Sequence, residues 1–172
     1  VGAHMYGGTS RTLSSATING VSATELTTDT TSTGNTLLLI AAVPTGATGD
    51  IVLTWSGSCA GSGVSVWYAT GLTSNTPVAA ARGGTISPVS SGSLATVDGG
   101  FVIGVATTRY NDSTTRTFTW SNVTEQFDAE IENTGTDGGA MSGGHAATTG
   151  ANVTVTGTLS TAGGCIGAFA TF

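Results

Sequence analysis

The sequence predicts an all-β protein, a two-sheet antiparallel sandwich that is jelly-roll-like and has about ten strands. Threonine, serine and glycine occur 34, 18 and 27 times and make up 79 of the 172 residues, a composition that favours pleated strands and tight turns. Lysine is absent and the other strong helix formers are few. Apolar and polar residues alternate with a period of two along most of the chain, and no segment has a helical period.

The first half of the chain contains a hairpin signal and a buried-strand signal. Residues 15–26 hold two short strand-like runs around Asn19-Gly20, a dipeptide typical of a tight hairpin turn. Residues 35–44 form a nearly continuous apolar run that stops at Pro44. Such a run predicts a central strand that is covered on both faces.

Alternation also predicts how the remaining strands face. Three sets of residues each share one face: Ile51, Leu53 and Trp55; Val64, Val66 and Tyr68, with Trp67 opposite; and Phe101, Ile103 and Val105. Residues 115–133 are predicted to fold into a second hairpin at Ser121-Asn122. Residues 151–160 and 164–172 are predicted to close the chain as two further strands.

Two polar or glycine-rich stretches, residues 82–99 and 133–150, interrupt this pattern and are predicted to be loops. The second is too long for an ordinary hairpin loop, and loops of that length are often functional or mobile. The opening "VGAHM", residues 1–5, is interpreted as an expression-vector remnant and is excluded from the reasoning, with its His4 and Met5. Residues 6–172 then form one domain.

The charge balance excludes several partners. The net charge is −6 and four arginines are the only cations, whereas phosphate contacts need clustered lysine and arginine. Nucleic-acid and anionic-membrane binding are therefore not expected, and no apolar run reaches the roughly 20 residues of a membrane span. A surface poor in charge and rich in hydroxyls indicates an extracellular or particle-bound location.

Half of the acidic residues lie in one short segment, at Glu125, Asp128, Glu130, Glu132 and Asp137. On a strand, Asp128, Glu130 and Glu132 would face water together. A straight strand face spreads its carboxylates about 7 Å apart, whereas calcium needs six to eight converging oxygens. The segment is interpreted as a solvated strand face without a metal site, and weak cation binding by Asp128 and Glu130 is the alternative. No cofactor is predicted.

Cys59 and Cys165 are the only cysteines, and a disulfide between them requires their Cα atoms to lie within about 7 Å. The alternative is two small buried hydrophobic residues.

Residues 57–61 match a G-x-C-x-G nucleophile elbow, and Cys59, Asp128 and His145 follow the order of nucleophile, acid and histidine in α/β-hydrolases. An elbow needs a following helix, and a strand-like segment follows here. No catalytic residue is therefore assigned, and the protein is not expected to be an enzyme.

Binding of a glycan uses an aromatic ring that stacks on a sugar face and polar side chains that fix the hydroxyls. Trp67, Arg109, Tyr110 and Asp112 are the candidates, because Tyr110 and Asp112 end a strand in a polar loop. His145, expected in the glycine-rich loop, is either a solvated residue or a ligand contact. Core packing is the competing interpretation of each tryptophan.

The cadence of five phrases, at residues 16–24, 43–57, 63–72, 99–107 and 120–132, resembles β-rich domains of tailed-phage and prophage structural proteins. These are tail-fibre, head-fibre or spike, and decoration-like components. The resemblance spans roughly residues 11–172. It implies a virion-surface protein that contacts other virion proteins and displays a sandwich to bind host-surface glycan, and it brings no catalytic residues. A free bacterial carbohydrate-binding module or adhesin domain is the alternative.

An assembly is also expected. Many phage fibre and spike domains of similar composition are trimers, which the resemblance extends to this chain. The apolar strands at residues 35–44 and 164–172 need cover on both faces, yet the sequence predicts no helix to supply it. Their outer positions are therefore expected to meet a neighbouring subunit: Leu38, Ile40 and Ala42 on one strand, and Ile166, Ala168, Phe172 or Phe169 on the other. The favoured form is a homotrimer, and the competing arrangement is a monomer covered by its own loops at 82–99 and 133–150.

Overall fold

The computed structural model describes residues 1–7, 9, 11–31, 33–43, 48–110, 112, 114–133 and 138–172, except for the side chains of residues 132 and 133. This part of the chain is all-β, as predicted, with fifteen strands rather than about ten. The strands are β1 (Gly2–Tyr6), β2 (Leu13–Ile18), β3 (Val21–Ser22), β4 (Thr24–Thr30), β5 (Gly34–Ile40), β6 (Ile51–Trp55), β7 (Gly61–Ser65), β8 (Ala79–Arg82), β9 (Val89–Ser90), β10 (Asp98–Tyr110), β11 (Phe118–Ser121), β12 (Thr124–Asn133), β13 (Gly138–Thr149), β14 (Thr156–Leu159) and β15 (Cys165–Thr171).

Two antiparallel sheets face each other at the centre of the molecule. Sheet I has the strand order β4-β5-β1-β7, and sheet II has the order β12-β13-β10-β15-β8. The core between them is formed by alternate residues of the facing strands, among them Leu38, Ile103, Val105, Ala168 and Ala170. This pair of sheets is the predicted sandwich.

Two small outer sheets cover the sandwich on both sides. Sheet III, with the order β3-β2-β6, packs through Ala16, Leu53 and Trp55 on the outer face of sheet I. Sheet IV, with the order β11-β14-β9, packs through Val89, Phe118, Val155 and Leu159 on the outer face of sheet II. The domain is therefore a stack of four β-layers rather than two.

The outer sheets explain why two strands are apolar on both faces. In β5, Leu38 faces sheet II while Leu37 and Leu39 pack under sheet III. In β15, Ala168 faces sheet I while Phe169 packs under sheet IV. The expectation that these faces meet a neighbouring subunit was wrong for Leu38, Ala168 and Phe169, because the same chain covers them. The homotrimer itself stays a prediction.

Residues 1–5 belong to the fold. Residues Gly2–Tyr6 form β1, which pairs with β5 on one side and β7 on the other, and every one of its residues is buried. Met5 and His4 are both fully buried. Setting this segment aside was wrong in structural terms, since a strand in the middle of sheet I cannot be removed without exposing both neighbours. Its origin as a vector remnant stays a prediction.

The predicted loop at residues 133–150 is mostly the strand β13, which lies between β12 and β10 in sheet II. Its glycines are places where bulky neighbours need room. A Cβ added at Gly139 would lie 2.6 Å from the ring of Tyr6, and one at Gly143 would lie 2.9 Å from the ring of Phe127. The glycine-rich composition therefore reflects large side chains from neighbouring strands that lie over β13. Glycine in a strand often marks such a close approach.

The predicted loop at residues 82–99 also contributes strand pairing. It contains β9, which pairs with β14, and an isolated bridge between Leu94 and Val153. Val89 and Leu94 are buried in the core under sheet IV. This stretch therefore helps to cover sheet II. Such cover by the chain's own segments is part of the monomer arrangement that competes with the homotrimer.

The two predicted hairpins have different outcomes. Asn19 and Gly20 have φ values of +51° and +76° and join β2 to β3, so this hairpin is confirmed. Asn122 also has a positive φ of 64°, but β11 pairs with β14 and β12 pairs with β13. The turn at Asn122 thus carries the chain from sheet IV to sheet II, and the prediction of a hairpin there was wrong.

Candidate functional site

An open cleft of about 950 Å³ lies at one end of the stack, where β5 runs out of sheet I. Its walls are mostly apolar and come from β5, from β10 and from the segment 66–75, with Ile40, Phe101, Ile103 and Leu72 among them. A volume of this size is at the upper end of ligand sites, and such sites are typically apolar with a few polar groups. This cleft is the candidate binding site.

The cleft has an aromatic edge because the chain leaves the strand geometry after Ser65. Trp67 is half-buried, lines the cleft and packs on Phe127 with a ring-centroid distance of 5.8 Å. The next residue, Tyr68, is 84% exposed and also lines the cleft. The sequence predicted Val64, Val66 and Tyr68 as a common strand face, but β7 ends at Ser65 and all three side chains are exposed.

The polar groups of the cleft are few and are carried by turns. Asn19 of the hairpin turn and Asn75 of the segment 66–75 both line it, and an amide can donate to and accept from a ligand hydroxyl. No charged side chain is among the described lining residues. The cleft can therefore accept an apolar face and fix it with neutral hydrogen bonds.

His145 lies on β13 rather than in a loop. It pairs with Ile103 of β10 and lies on the face of sheet II that looks toward sheet I, next to the wall of the cleft. Its side chain is half-buried, and among the described residues its Nδ1 has no hydrogen-bond partner. The structure does not place it in the cleft, so the predicted ligand contact is not part of this site.

The other predicted ligand residues gather at the opposite end of sheet II. Tyr110 is buried, crosses Gly138 and donates its hydroxyl hydrogen to Glu130 over 3.1 Å. The guanidinium of Arg116 lies 4.8 Å from the centre of the Tyr110 ring and donates to Asp112 over 2.7 Å. Burial and the bond to Glu130 raise the pKa of Tyr110 to about 12. Tyr110 is thus a packed structural residue, not an exposed stacking platform.

The acidic segment is a solvated strand face only in part. A bulge between Glu125 and Phe127 breaks the alternation of β12 and puts Glu125 on the same face as Asp128, toward sheet IV. Asp128 accepts a 2.7 Å hydrogen bond from the backbone N–H of Phe118, which ties β12 to sheet IV. Glu132 and Asp137 fall outside the described side chains.

The electrostatics of Asp128 follow from this position. Its pKa is raised to about 6, mainly by partial burial and also by the negative charge of Glu125, while the hydrogen bond from the Phe118 N–H acts in the opposite direction. Asp128 and Glu130 each accept a hydrogen bond from the protein through one oxygen. Among the described residues, no group of three or more His, Cys, Asp or Glu side chains is arranged to hold a metal ion.

The three residues of the nucleophile-elbow pattern do not meet. Cys59 lies beside the end of β1 and is followed by strand β7, not by a helix. Asp128 and His145 lie on opposite faces of sheet II. Tyr6 lies at the end of β1 next to Cys59, and its ring packs over Gly139 of β13. His145 is six residues farther along β13, which puts it about 20 Å from Gly139 and therefore far from Cys59.

Both cysteines are free thiols. Cys165 is buried under sheet IV, where burial raises the pKa of its thiol to about 11, whereas Cys59 is half-buried near β1. The interpretation as small buried residues holds for Cys165, and the disulfide is not formed in this structure.

Comparison with known proteins gives no relative. No protein-family model matches the sequence, and no curated protein or solved structure is significantly similar to it. Within the described residues there is also no helix long and apolar enough to cross a bilayer.

Sequence reasoning found Trp67 and missed Tyr68 and the turn asparagines. The strand alternation assigned Tyr68 to a strand face shared with Val64 and Val66, because "GVSVWYATGL" keeps its period of two up to Tyr68. The signal that could have corrected this is the run of turn residues after it, with Gly71 at a φ of +77°. Asn19 is predicted from the sequence only as a turn residue.

Proposed function

We propose that this protein is a non-enzymatic domain displayed on a virion surface, as a fibre, spike or decoration-like component, and that it binds host-surface glycan at the cleft. The observation that carries the binding part is the pair Trp67 and Tyr68, one in the cleft wall and one 84% exposed at its edge. A sugar face stacks on such a ring, and Asn75 supplies neutral hydrogen bonds.

The architecture supports a role in display. In the stack of four sheets, the apolar strands β5, β10 and β15 are packed on both of their faces. Strands packed in this way form a rigid scaffold, and a ligand site at one end of the stack would be held in place by it. The lysine-free, hydroxyl-rich composition suits contacts with sugars and with neighbouring virion proteins better than contacts with polyanions. The virion location rests on the sequence resemblance.

The alternative is a free carbohydrate-binding module or adhesin domain of a bacterial surface. The cleft would act in the same way in both settings, so its geometry does not distinguish them. Neighbouring genes for tail, capsid or terminase proteins favour the virion, and genes for secreted enzymes or surface anchors favour the module.

The binding proposal is tested with a glycan array, followed by calorimetry on the best glycan. Tyr68→Ala is expected to weaken binding at least tenfold without lowering the melting temperature, because its ring is exposed. Ile86→Ala is the matched control, since Ile86 is also a large exposed hydrophobic residue but lies outside the cleft. A protein that binds no glycan, or that binds equally well without Tyr68, would refute the proposal.

The homotrimer is tested separately by light scattering at micromolar concentration. A mass near three times 16.8 kDa supports it, and a mass of 16.8 kDa that does not change on concentration refutes it. Since the outer sheets already cover the inner strands, a trimer would have to use other surfaces, and Val64 and Val66 at the edge of sheet I are exposed candidates.

A further inference from the structure

The floor of the cleft is an open extension of the protein core. The central cluster between sheets I and II contains the buried residues Leu38, Ile103 and Phe172, and all three line the cleft. The partly buried hydrophobic residues that pack against this cluster line the cleft as well, namely Leu26, Ile40, Trp67, Leu72 and Phe101. The core of the inner sheets therefore opens to the surface at this end.

Polar side chains are confined to the rim of the cleft. Among the described lining residues, those with an amide or a hydroxyl are all exposed: Asn19, Thr48, Tyr68 and Asn75. The other polar side-chain group among them is the indole N–H of the half-buried Trp67. Backbone groups of the floor take part in strand pairing, as in the mutual N–H to carbonyl bonds of Phe101 and Phe172. The described floor residues therefore offer a guest hydrocarbon contacts rather than hydrogen bonds.

The opposite end of the inner sheets has the contrasting chemistry. A second cavity, of about 230 Å³, lies there, and we call it the hydroxyl-lined cavity because Thr31, Thr33 and Thr107 are among its lining residues. Thr107 and Ile103 lie on the same face of β10, four residues apart. The apolar floor is therefore a property of the cleft end of the sheets and not of the sheets as a whole.

The chemistry of a guest that fits both the rim and the floor follows from the energetics of burial. A sugar hydroxyl that is buried without a partner costs about tenfold to a hundredfold in affinity, whereas each buried methylene group strengthens binding about fourfold. A sugar therefore suits the rim, and the floor suits hydrocarbon. An apolar cavity of about 150 Å³ already holds a benzene ring. The cleft, with about 950 Å³, has room for a chain of several carbons below the rim.

We infer that the guest of the cleft is a glycan that carries an alkyl or acyl chain, with the sugar on Tyr68 at the rim and the chain on the floor against Ile40 and Ile103. The inference rests on the proposed function, since it takes the binding of a glycan at Tyr68 as given. Lipid-linked glycans and glycans with short acyl substituents both provide this chemistry, and they differ in chain length.

The experiment is a calorimetric titration of the whole chain with methyl, butyl, hexyl and octyl β-D-glucosides, each below the concentration at which it forms micelles. Affinity is expected to rise about twofold to fourfold for each added methylene, with the lower figure for carbons that stay partly in water because the cleft is open. A rise that continues to octyl indicates a lipid-linked glycan, and one that ends at butyl indicates a short acyl substituent. Equal affinities for the four glucosides overturn the inference.

Failure of this inference and failure of the proposed function give different results. If plain glycans bind in the array and an attached chain adds nothing, the proposed function stands and the inference is overturned. Tetraethylene glycol monooctyl ether carries the octyl chain without a sugar. If this ether binds as tightly as octyl glucoside and no plain glycan binds, the proposed glycan binding is refuted and the chain site on the floor is supported.

Variants separate the floor from the rim. Ile40→Asp places a carboxylate on the apolar wall and is expected to weaken the binding of octyl glucoside at least tenfold more than that of methyl glucoside. Ile86→Asp is the matched control, since it makes the same change at an exposed position outside the cleft. Tyr68→Ala is expected to weaken all four glucosides by one common factor. An unchanged gain from methyl to octyl in Ile40→Asp overturns the inference.

A second variant covers the case in which Ile40→Asp does not fold. Leu72 is half-buried, lines the same floor and lies in the segment 66–75, which belongs to no strand. Leu72→Asp is therefore expected to fold and to reduce the gain from methyl to octyl in the same way. If Leu72→Asp keeps the full gain, the chain does not lie on the floor of the cleft.

Discussion

The apolar cleft and the hydroxyl-lined cavity lie at opposite ends of the same pair of sheets, and they differ because the strands change chemistry along their length. The inward-facing residues of β10 run from Phe101 and Ile103, through Val105, to Thr107 and Arg109. Along β5, Ile40 lines the cleft and Gly34 lines the cavity. One register of alternation therefore produces an apolar end and a hydroxyl-lined end of the same pair of sheets.

His4 marks the boundary between the two ends. It is fully buried between the inner sheets, with Thr107 on the side of the cavity and the ring of Phe127 at a centroid distance of 6.4 Å. This buried imidazole gives the hydroxyl of Thr107 a hydrogen-bond partner between the two inner sheets. A polar ring is tolerated at the centre of this sandwich because both nitrogens of His4 have hydrogen-bond partners, Thr107 and Ser65.

The largest predicted effect is the acid sensitivity that His4 confers. Burial lowers its pKa to about 3, from an ordinary value near 6.5, so the unfolded chain takes up a proton first as the pH falls. His4 therefore costs no stability above pH 6.5 and lowers the free energy of unfolding by about 4 kcal/mol between pH 6.5 and 3.5. Urea melts of the protein and of His4→Gln at several pH values measure this difference.

Two carboxylates act in the opposite direction and must be separated from His4. Burial raises the pKa of Asp128 to about 6 and also raises that of Asp29, so for each the folded state takes up a proton first and gains stability as the pH falls toward the ordinary value. The comparison of His4→Gln with the unchanged protein cancels both. His145→Gln is the control, and an equal acid effect in His4→Gln would contradict the assignment.

The next effect concerns the apolar end of β10. Ile103→Thr is expected to lower the free energy of unfolding by about 2 kcal/mol, because a buried side chain of the core between the inner sheets is replaced by a smaller one that carries a hydroxyl. Thr107→Val at the other end is expected to cost about as much for the converse reason, since a buried nitrogen of His4 loses its hydrogen-bond partner. Denaturant titration compares the two, and a neutral Thr107→Val would show that the hydroxyl is not needed.

A smaller effect distinguishes the two aromatic residues of the cleft. Trp67→Ala is expected to cost about 1–2 kcal/mol, because Trp67 is half-buried against Phe127, whereas Tyr68→Ala is expected to stay within about 0.5 kcal/mol. Thermal melts of both variants check this. Equal losses would mean that Tyr68 is packed in solution and does not serve as an open platform.

The smallest effect is expected at Tyr110. Tyr110→Phe removes the hydrogen bond to the exposed Glu130 and leaves the ring under Arg116, so the loss is about 0.5 kcal/mol. Denaturant titration of this variant, with Thr119→Val as an exposed hydroxyl control on β11, measures it. A loss above 2 kcal/mol would show that the Tyr110–Glu130 bond holds β12 on the sheet.

Much of the local structure was predictable because its signals are local. The Asn19-Gly20 turn, the common face of Ile51, Leu53 and Trp55, and the inward face of β10 follow from alternation and turn chemistry. Trp67 could be named as a candidate for the site, but its position inside the cleft could not, since that depends on where β7 ends.

The sequence by itself determined that this chain is all-β and that its strands at residues 35–44 and 164–172 need cover on both faces, because composition and period are properties of neighbouring residues. Only the tertiary structure decided what covers them. Sheets III and IV come from distant parts of the chain, and short polar runs such as β9 carry no strong period. Likewise β13 is a strand because it pairs with β10 and β12, and the rings of Tyr6 and Phe127 occupy the space above its glycines. A glycine-rich segment has no apolar side chains whose alternation could indicate such a strand in the sequence.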